Sequence, residues 1–461
     1  MARGRVRGRR KRGSNWLLWL FLILIVAGAG AFFYFSPQFE RIPPKIIVDS
    51  RIYANENTPI RFTIEDNVKL KSAKVILSNG SVEIPIYGEN FLLPERKKSI
   101  EVKLPKSVVT QKNREWDVNI IAQDSSFLGF FGNKAVKRVK LIIDNLPPQI
   151  NIVAKSPSIR KGGSALIIYK IVDDSLKDSY VQVGNLKFKP IRYKQDGVFA
   201  TLFVWPFNED SFNAQIVAVD RANNISKVAI YMNKLFKKYK VSKIRVSDRF
   251  INGKISELAS MDSEYAKITD KIEKFRAVNE LMRKKNEDLI HQLSKKVTPF
   301  KNSWYIRPFK PLKGAKLVAD FGTKRYYYYK DKDNIISTSY HLGYDLASIK
   351  HDNIYSSNNG IVVFSGFNGI YGNMPLIDHG FGLYTLYGHC SNVLVQKGQI
   401  IKGGDVIAKT GMTGLALGDH LHFGVLVQGI EVYPLEWMRK EWIAQNILDI
   451  FQKADKIISS K

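Results

Sequence analysis

GDHLHFGV (residues 418–425) sets two histidines one residue apart and follows them with alternating apolar residues. Period-two alternation reads as a strand, and on a strand residues i and i+2 share a face. His420 and His422 are therefore two metal ligands, one ligand beside an acid/base group, or two ordinary histidines of a strand. The rest of the chain has to decide among these.

Histidine is scarce, with seven in the whole chain. HLGYD places His341 and Asp345 four residues apart, and YGHC places His389 at the end of an apolar run. His291 lies in a helical stretch, while His351 and His379 sit beside turn residues. Catalytic zinc takes about three protein ligands from His, Asp, Glu and Cys and keeps one position open. On a strand His341 and Asp345 would share a face, and Gly343 between them disfavours a helix. His341, Asp345, His389, His420 and His422 exceed what one ion needs. A surplus neutral imidazole can act as general base or as a hydrogen-bond donor in a transition state. The HExxH helix of other zinc peptidases is absent.

The surrounding text is rich in short apolar segments punctuated by glycine, at 317–322, 359–366, 374–380, 383–390, 394–411 and 421–429. This is the pattern of a compact antiparallel sheet with tight turns. HLGYDLA, IDHG, YTLYGH, VQKGQIIKGGDVIAKTGMTG and GDHLHFGV, in that order, resemble the zinc peptidases typified by lysostaphin and LytM. The resemblance covers roughly 308–437. It implies a small antiparallel sheet enclosing a groove, a Zn2+ cofactor and endopeptidase action on peptidoglycan. It also implies that His341, Asp345 and His422 are the zinc ligands and that His389 and His420 are the remaining active-site pair. Gly424 stands where many members carry Glu, and Cys390 follows the active-site His389; neither position is a ligand in the family. Tyr326 to Tyr329 and Asn373 are candidate groove-lining residues.

Upstream, PPKIIV at 43 and PPQINIV at 147 open two similar stretches. Each passes an acidic turn (IEDN, IVDDS), a strand-like run ending in Asp (VNIIAQD, AQIVAVD) and a last basic-flanked run. Short strands with turn signals over about one hundred residues suggest tandem immunoglobulin-like sandwiches. Neither contains a catalytic cluster, so spacer or interaction modules are expected. From 247 to 296 apolar residues recur near a 3.6 period between Lys and Glu, predicting an amphipathic helical segment. It is expected to pack on a neighbouring domain and is a candidate regulatory cover or partner-docking element.

WLLWLFLILIVAGAGAFFYF (residues 16–35) runs without a charge after an Arg-rich start. Twenty apolar residues match the thickness of a bilayer core. The run is longer than a usual signal-peptide core and ends in bulky aromatics, which favours an uncleaved anchor over a cleaved signal. The basic flank would stay in the cytoplasm and the remainder would lie in a periplasm. The formal charge of +29 suits anionic wall or lipid surfaces. No nucleic-acid-binding signature accompanies it, so nucleic acid is not an expected partner. A single cysteine, Cys390, excludes an internal disulfide.

The chain thus reads as mainly β. Its parts are a basic cytoplasmic tail (1–15), a transmembrane helix (16–35), β-sandwich repeats (43–145 and 146–235), a helical linker (247–296), a LytM-like zinc peptidase domain (300–440) and a C-terminal helix (441–461). The expected function is that of a single-pass inner-membrane protein hydrolysing stem-peptide cross-links of peptidoglycan in the periplasm, with room for a regulatory protein partner. The competing expectations are a non-hydrolytic or self-inhibited wall-binding regulator and a stem-peptide carboxypeptidase.

Overall fold

The computed structural model describes residues 16–93, 95–110, 114–127, 132–300 and 304–460. The basic tail read at 1–15 lies outside the described residues. The chain is mostly β and divides into two compact units. One comprises the described residues up to Leu146 together with Arg221–Asn224; the other comprises Pro147–Asp220 and the chain from Ile225 onward.

In the first unit the helix Trp16–Phe35 is long and apolar enough to cross a membrane, and none of its residues is buried in protein. The β part pairs two sheets. Lys45–Ile47, Ile60–Glu65 and Lys97–Val102 form one; the other runs from Arg51–Ala54 through Lys134–Ile143, Glu115–Asp124 and Leu70–Ser78 to Glu83–Asn90. Glu115–Asp124 shows how the sequence builds this core. Trp116, Val118, Ile120 and Ala122 alternate inward, and their partners face outward or sit half-buried.

The second repeat is built differently. Its two four-stranded sheets centre on Ser164–Val172 and on Leu176–Val183 with Ala214–Asp220. Ser164–Val172 does not alternate, because nearly every residue is buried. The cause is the C-terminal helix Asp449–Ser459. Its Ile450, Phe451, Ala454 and Ile458 are buried in the same apolar cluster as Ile168 and Leu202. Polar contacts close the seam: Ser156 donates to the Asn446 carbonyl at 2.8 Å, and Tyr193 donates to Asp455 at 2.7 Å. Glu436 is buried beside Arg160 and the Ser164 amide, and burial pushes its carboxyl up to about 7 against both. The second repeat is therefore packed into the peptidase-bearing unit, where the sequence pattern divides it off at 235.

The main sheet of that unit runs Lys316–Ala319, Tyr344–Ala347, Leu421–Val427, Leu383–Gly388, Asn373–Asp378, Gly360–Phe367 and Ile400–Ile401, with Ile430–Val432 beside Leu421–Val427; its paired neighbours are antiparallel. Both faces are covered. Leu383, Tyr387, Phe423 and Val425 turn to the core shared with the second repeat. Tyr384, Leu386 and Leu426 turn the other way, onto Phe275, Val278, Met282 and Ile290 of the helical segment. That segment runs from Asp248–Phe250 to Arg283–Ser294, with Ser247, Asp262 and Asp270 capping three of its helix starts. Ahead of it, Val241–Arg245 lies parallel to Lys324–Tyr328, which pairs with Ile335–Tyr340.

Candidate metal centre

Strand register assembles the site. Asp345 on Tyr344–Ala347 lies directly opposite His422 on Leu421–Val427, and His422 is also opposite Gly388, the residue before His389. His420 pairs with Gly411 just ahead of its strand. His341 and Asp345 do not share one strand, contrary to the reading from spacing. His341 follows the end of Ile335–Tyr340, and the chain bends through Leu342 and Gly343 before Tyr344–Ala347 begins. Gly343 permits this bend against the site, since a Cβ there would lie 2.6 Å from His422 Nε2.

His341 Nε2, Asp345 Oδ1 and His422 Nδ1 converge. The His341–Asp345 and His422–Asp345 distances are both 2.9 Å, and the two imidazole nitrogens are 3.1 Å apart. His341 Nδ1 donates to the Asp320 carbonyl at 2.9 Å, which leaves Nε2 as a lone-pair acceptor turned toward the carboxylate. Even with a proton on His422 Nδ1, His341 Nε2 and Asp345 Oδ1 remain two acceptors at hydrogen-bond distance. His422 turns its other nitrogen, Nε2, away from this cluster toward Gly343, where among the described residues it has no hydrogen-bond partner. A shared cation satisfies such a donor set, and two nitrogens plus one carboxylate oxygen suit zinc. These are three ligand atoms within 4.8 Å of one another.

The electrostatics agree. Burial works against the Asp345 carboxylate, but the facing His341, with His420 and His422, holds it well below the usual range. Burial lowers His422 to about 4, against the pull of Asp345, so its imidazole is neutral at neutral pH. Both are in the protonation state that ligation requires.

His389 and His420 stand beside this cluster, with ring centroids 4.8 Å apart. His389 is buried and donates Nδ1–H to the Thr413 carbonyl at 2.8 Å. Burial, with the charges of His422 and His420, lowers it to about 3. Its φ of +64° is a left-handed conformation that a non-glycine residue holds only where its surroundings enforce it. His420 donates Nδ1–H to the Gly418 carbonyl at 2.7 Å, and its Nε2 lies 3.6 Å from Asp345 Oδ1. Burial opposes its charged form, yet the nearby Asp345 carboxylate outweighs this and raises its pKa.

The five residues line one groove of about 510 Å³. Of the tyrosine run only Tyr327 reaches it; Tyr326, Tyr328, Tyr329 and Asn373 do not line it. Tyr329 instead donates to Asp248, and the Asn373 amide donates to Thr413 Oγ1. His379 is a core residue, with Nδ1 donating to the Asn359 carbonyl and Nε2 meeting the Thr385 hydroxyl. Other groove residues carried no signal in the sequence, Arg325 and Tyr371 among them. Arg325 places Nη2 3.7 Å from Asp345 Oδ2, and Tyr371 sets its ring edge against His422. Both arrive from strands or turns remote in sequence, with no spacing motif to mark them.

Residues 339–434 match Peptidase family M23. This region is an M23 peptidase domain. Over 95 residues it is 37% identical to the DD-carboxypeptidase/endopeptidase Mpg of Neisseria meningitidis serogroup B, a match covering 21% of this chain and 22% of that protein. Over 113 residues the chain is 40% identical to the peptidoglycan DD-endopeptidase ShyB of Vibrio cholerae, covering 24% of this chain and 26% of that protein. The chain thus spans about a quarter or less of the length of these curated relatives. A crystal structure of a putative peptidase M23 from Pseudomonas aeruginosa aligns over 61% of this chain and 94% of its own, at 18% identity and a TM-score of 0.38. His341, Asp345, His389, His420 and His422 all fall inside the M23 match.

Proposed function

We propose that this chain is a membrane-anchored periplasmic zinc endopeptidase that hydrolyses peptide cross-links of peptidoglycan. The observation that carries this reading is the convergence of His341, Asp345 and His422 beside two histidines the ion does not need, inside the groove of an M23 domain. The names of the two relatives, one a peptidoglycan DD-endopeptidase and one a DD-carboxypeptidase/endopeptidase, support the substrate class. The apolar helix Trp16–Phe35 supports the anchor, and the positive charge of +29 suits an anionic wall.

His341, Asp345 and His422 would hold the zinc ion, which when bound supplies Lewis-acid polarisation of the scissile carbonyl. His389 and His420 do the proton work. In each, Nδ1–H is committed to a backbone carbonyl, so Nε2 is the nitrogen left for substrate chemistry. One of the pair takes the proton of the attacking water, and either donates to the developing oxyanion and to the leaving amine. The carbonyls of Thr413 and Gly418 keep both rings from rotating, which preserves alignment through the reaction. Arg325 sets its guanidinium 3.7 Å from the outer oxygen of Asp345 and brings a positive charge to the groove.

The test is incubation of the purified full chain with whole peptidoglycan and analysis of the products by mass. New termini at cross-links, lost on chelation and restored by zinc, support an endopeptidase. Release of a terminal residue alone would reassign the protein as a carboxypeptidase, and no product with zinc bound would defeat hydrolysis. A second reading is favoured by one feature: Phe250, Phe275 and Arg283 of the helical segment form part of the groove wall. In that reading the segment restrains the site until a regulatory partner displaces it. Phe250→Ala would then raise the cleavage rate, and an unchanged rate would remove the restraint.

A further inference from the structure

A second cavity of about 560 Å³ adjoins the catalytic groove. Arg283, Tyr340 and Leu342 line both. Its walls come from the helix Arg283–Ser294, from Glu431 and from two exposed turns of the second repeat. Along the helix Arg283, Glu287 and His291 follow at intervals of four, so they share the face turned to this cavity.

The charges there are unequally satisfied. Arg283 donates Nε–H to the Asn279 carbonyl and Nη2–H to Asn279 Oδ1, both at 2.9 Å, which fixes its guanidinium. His291 Nε2 is 2.7 Å from Glu431 Oε1, so that carboxylate has its partner. Glu287 has only a contact of 3.9 Å with Arg283 Nη1, and among the described residues it accepts no hydrogen bond. Its side chain is 19% exposed. Burial pushes its carboxyl up to about 7, with Arg283 opposing too weakly to prevent it. A poorly solvated carboxylate with acceptor capacity to spare is a site for a cation that brings its own hydrogen-bond donors. Lys and Arg outnumber Asp and Glu by 71 to 42 in this chain. Glu209, Glu287 and Glu431 face Arg283 and His291 in this cavity, and with His291 set on Glu431 the acidic residues exceed the basic ones by one, against the overall trend.

We propose that this second cavity binds a primary ammonium group, carried on the side chain of a diamino-acid residue of the peptide lying in the adjoining groove, with Glu287 as its counter-charge. The identity of that peptide rests on the hydrolase reading above; the ammonium site does not. Three donors on an ammonium can bond the Glu287 carboxylate and other acceptors that line the cavity, among which are Asn208, Ser211 and Asn213. Arg283 lines both the groove and this cavity, so it stands between the amine and the histidines. The cavity would then discriminate stem peptides with a free side-chain amine from those whose amine is blocked.

The experiment is calorimetric binding to the zinc-loaded full chain in detergent. The ligands are an uncross-linked stem tetrapeptide with a lysine-type side chain, the same peptide acetylated on that amine, and 1,5-diaminopentane. The free-amine peptide is expected to bind at least about tenfold tighter than the acetylated one, the usual worth of a hydrogen bond to a charged group. Glu287→Gln, which keeps the shape, should erase that ratio; Glu287→Asp should retain part of it. Equal ratios in wild type and Glu287→Gln would overturn the proposal, as would no preference in wild type. Diaminopentane binding as tightly as the peptide, and lost in Glu287→Gln, would overturn the link to a peptide substrate. Absence of any cleavage product alongside an intact binding ratio would defeat the hydrolase reading and leave the ammonium site standing.

Discussion

His379 and His422 sit in the same domain, both nearly sealed from solvent and both lowered to about 4 by burial. By exposure and pKa they are indistinguishable, yet their surroundings differ in kind. His379 donates to a carbonyl at 2.8 Å and meets a hydroxyl at 2.7 Å, so each ring nitrogen has a complementary partner. His422 turns Nδ1 to the Asp345 carboxylate at 2.9 Å and to the lone pair of His341 Nε2 at 3.1 Å. Burial alone therefore does not mark a functional histidine. Acceptors held against acceptors do, because that arrangement is unfavourable until a cation joins them.

The contrast can be broken or sharpened by substitution. Asp345→Ala should lower hydrolysis by at least about 10³-fold and reduce bound zinc from near one per chain to near zero, since the carboxylate neutralises the ion and orients both imidazoles. Elemental analysis beside a cleavage assay checks this, and retained zinc would refute the ligand set. His389→Ala should cost about 10²–10⁴ in rate, the range of general acid–base catalysis, with zinc content unchanged. Loss of zinc in that variant would move His389 into the ligand set. His379→Ala should keep its zinc and lose about 1–3 kcal/mol of stability in denaturant titration, because the Asn359 carbonyl and Thr385 hydroxyl lose their partner. Zinc loss there would erase the distinction between the two histidines.

The smallest effect concerns Glu436, at the seam with the second repeat. Its folded carboxyl titrates near 7 against an ordinary value of 4.5, so the folded state holds the proton longer. Its contribution to stability is thus complete below about pH 4.5 and is lost as pH rises toward 7. Glu436→Gln should flatten the thermal midpoint across that window. An unchanged slope would mean that Arg160 keeps the carboxylate ionised throughout.

Much of the candidate site is legible from residue types and order. A chain with few histidines that places His341, Asp345, His389, His420 and His422 in glycine-punctuated β text leaves little room for another reading, and the structure brings all five to one groove. Arg325, Tyr371 and Arg283 were not legible. They reach the groove from a separate three-stranded sheet, a short turn and the helical segment, and no local period links such elements to a histidine. The reading of His341 and Asp345 as one strand face failed for a related reason. A four-residue interval fits a strand or a bend equally well, and only close approach to His422 required the bend at Gly343.

Alternation, glycine spacing and the apolar run determined by themselves that the chain is mostly β, that Trp16–Phe35 is long enough to span a membrane, and that the histidines and Asp345 that could form a site stand in β text of the last third. Those are local properties of backbone preference and hydrophobic period, present in any short window. Which surfaces meet was decided only by tertiary structure. The apolar residues of Asp449–Ser459 and of the helical segment up to Arg283–Ser294 announce burial without naming a partner. Packing placed the first on the second β repeat and the second over the sheet face that carries His422. Hydrophobic contact is non-directional, so its partners are chosen by the shape of the whole fold.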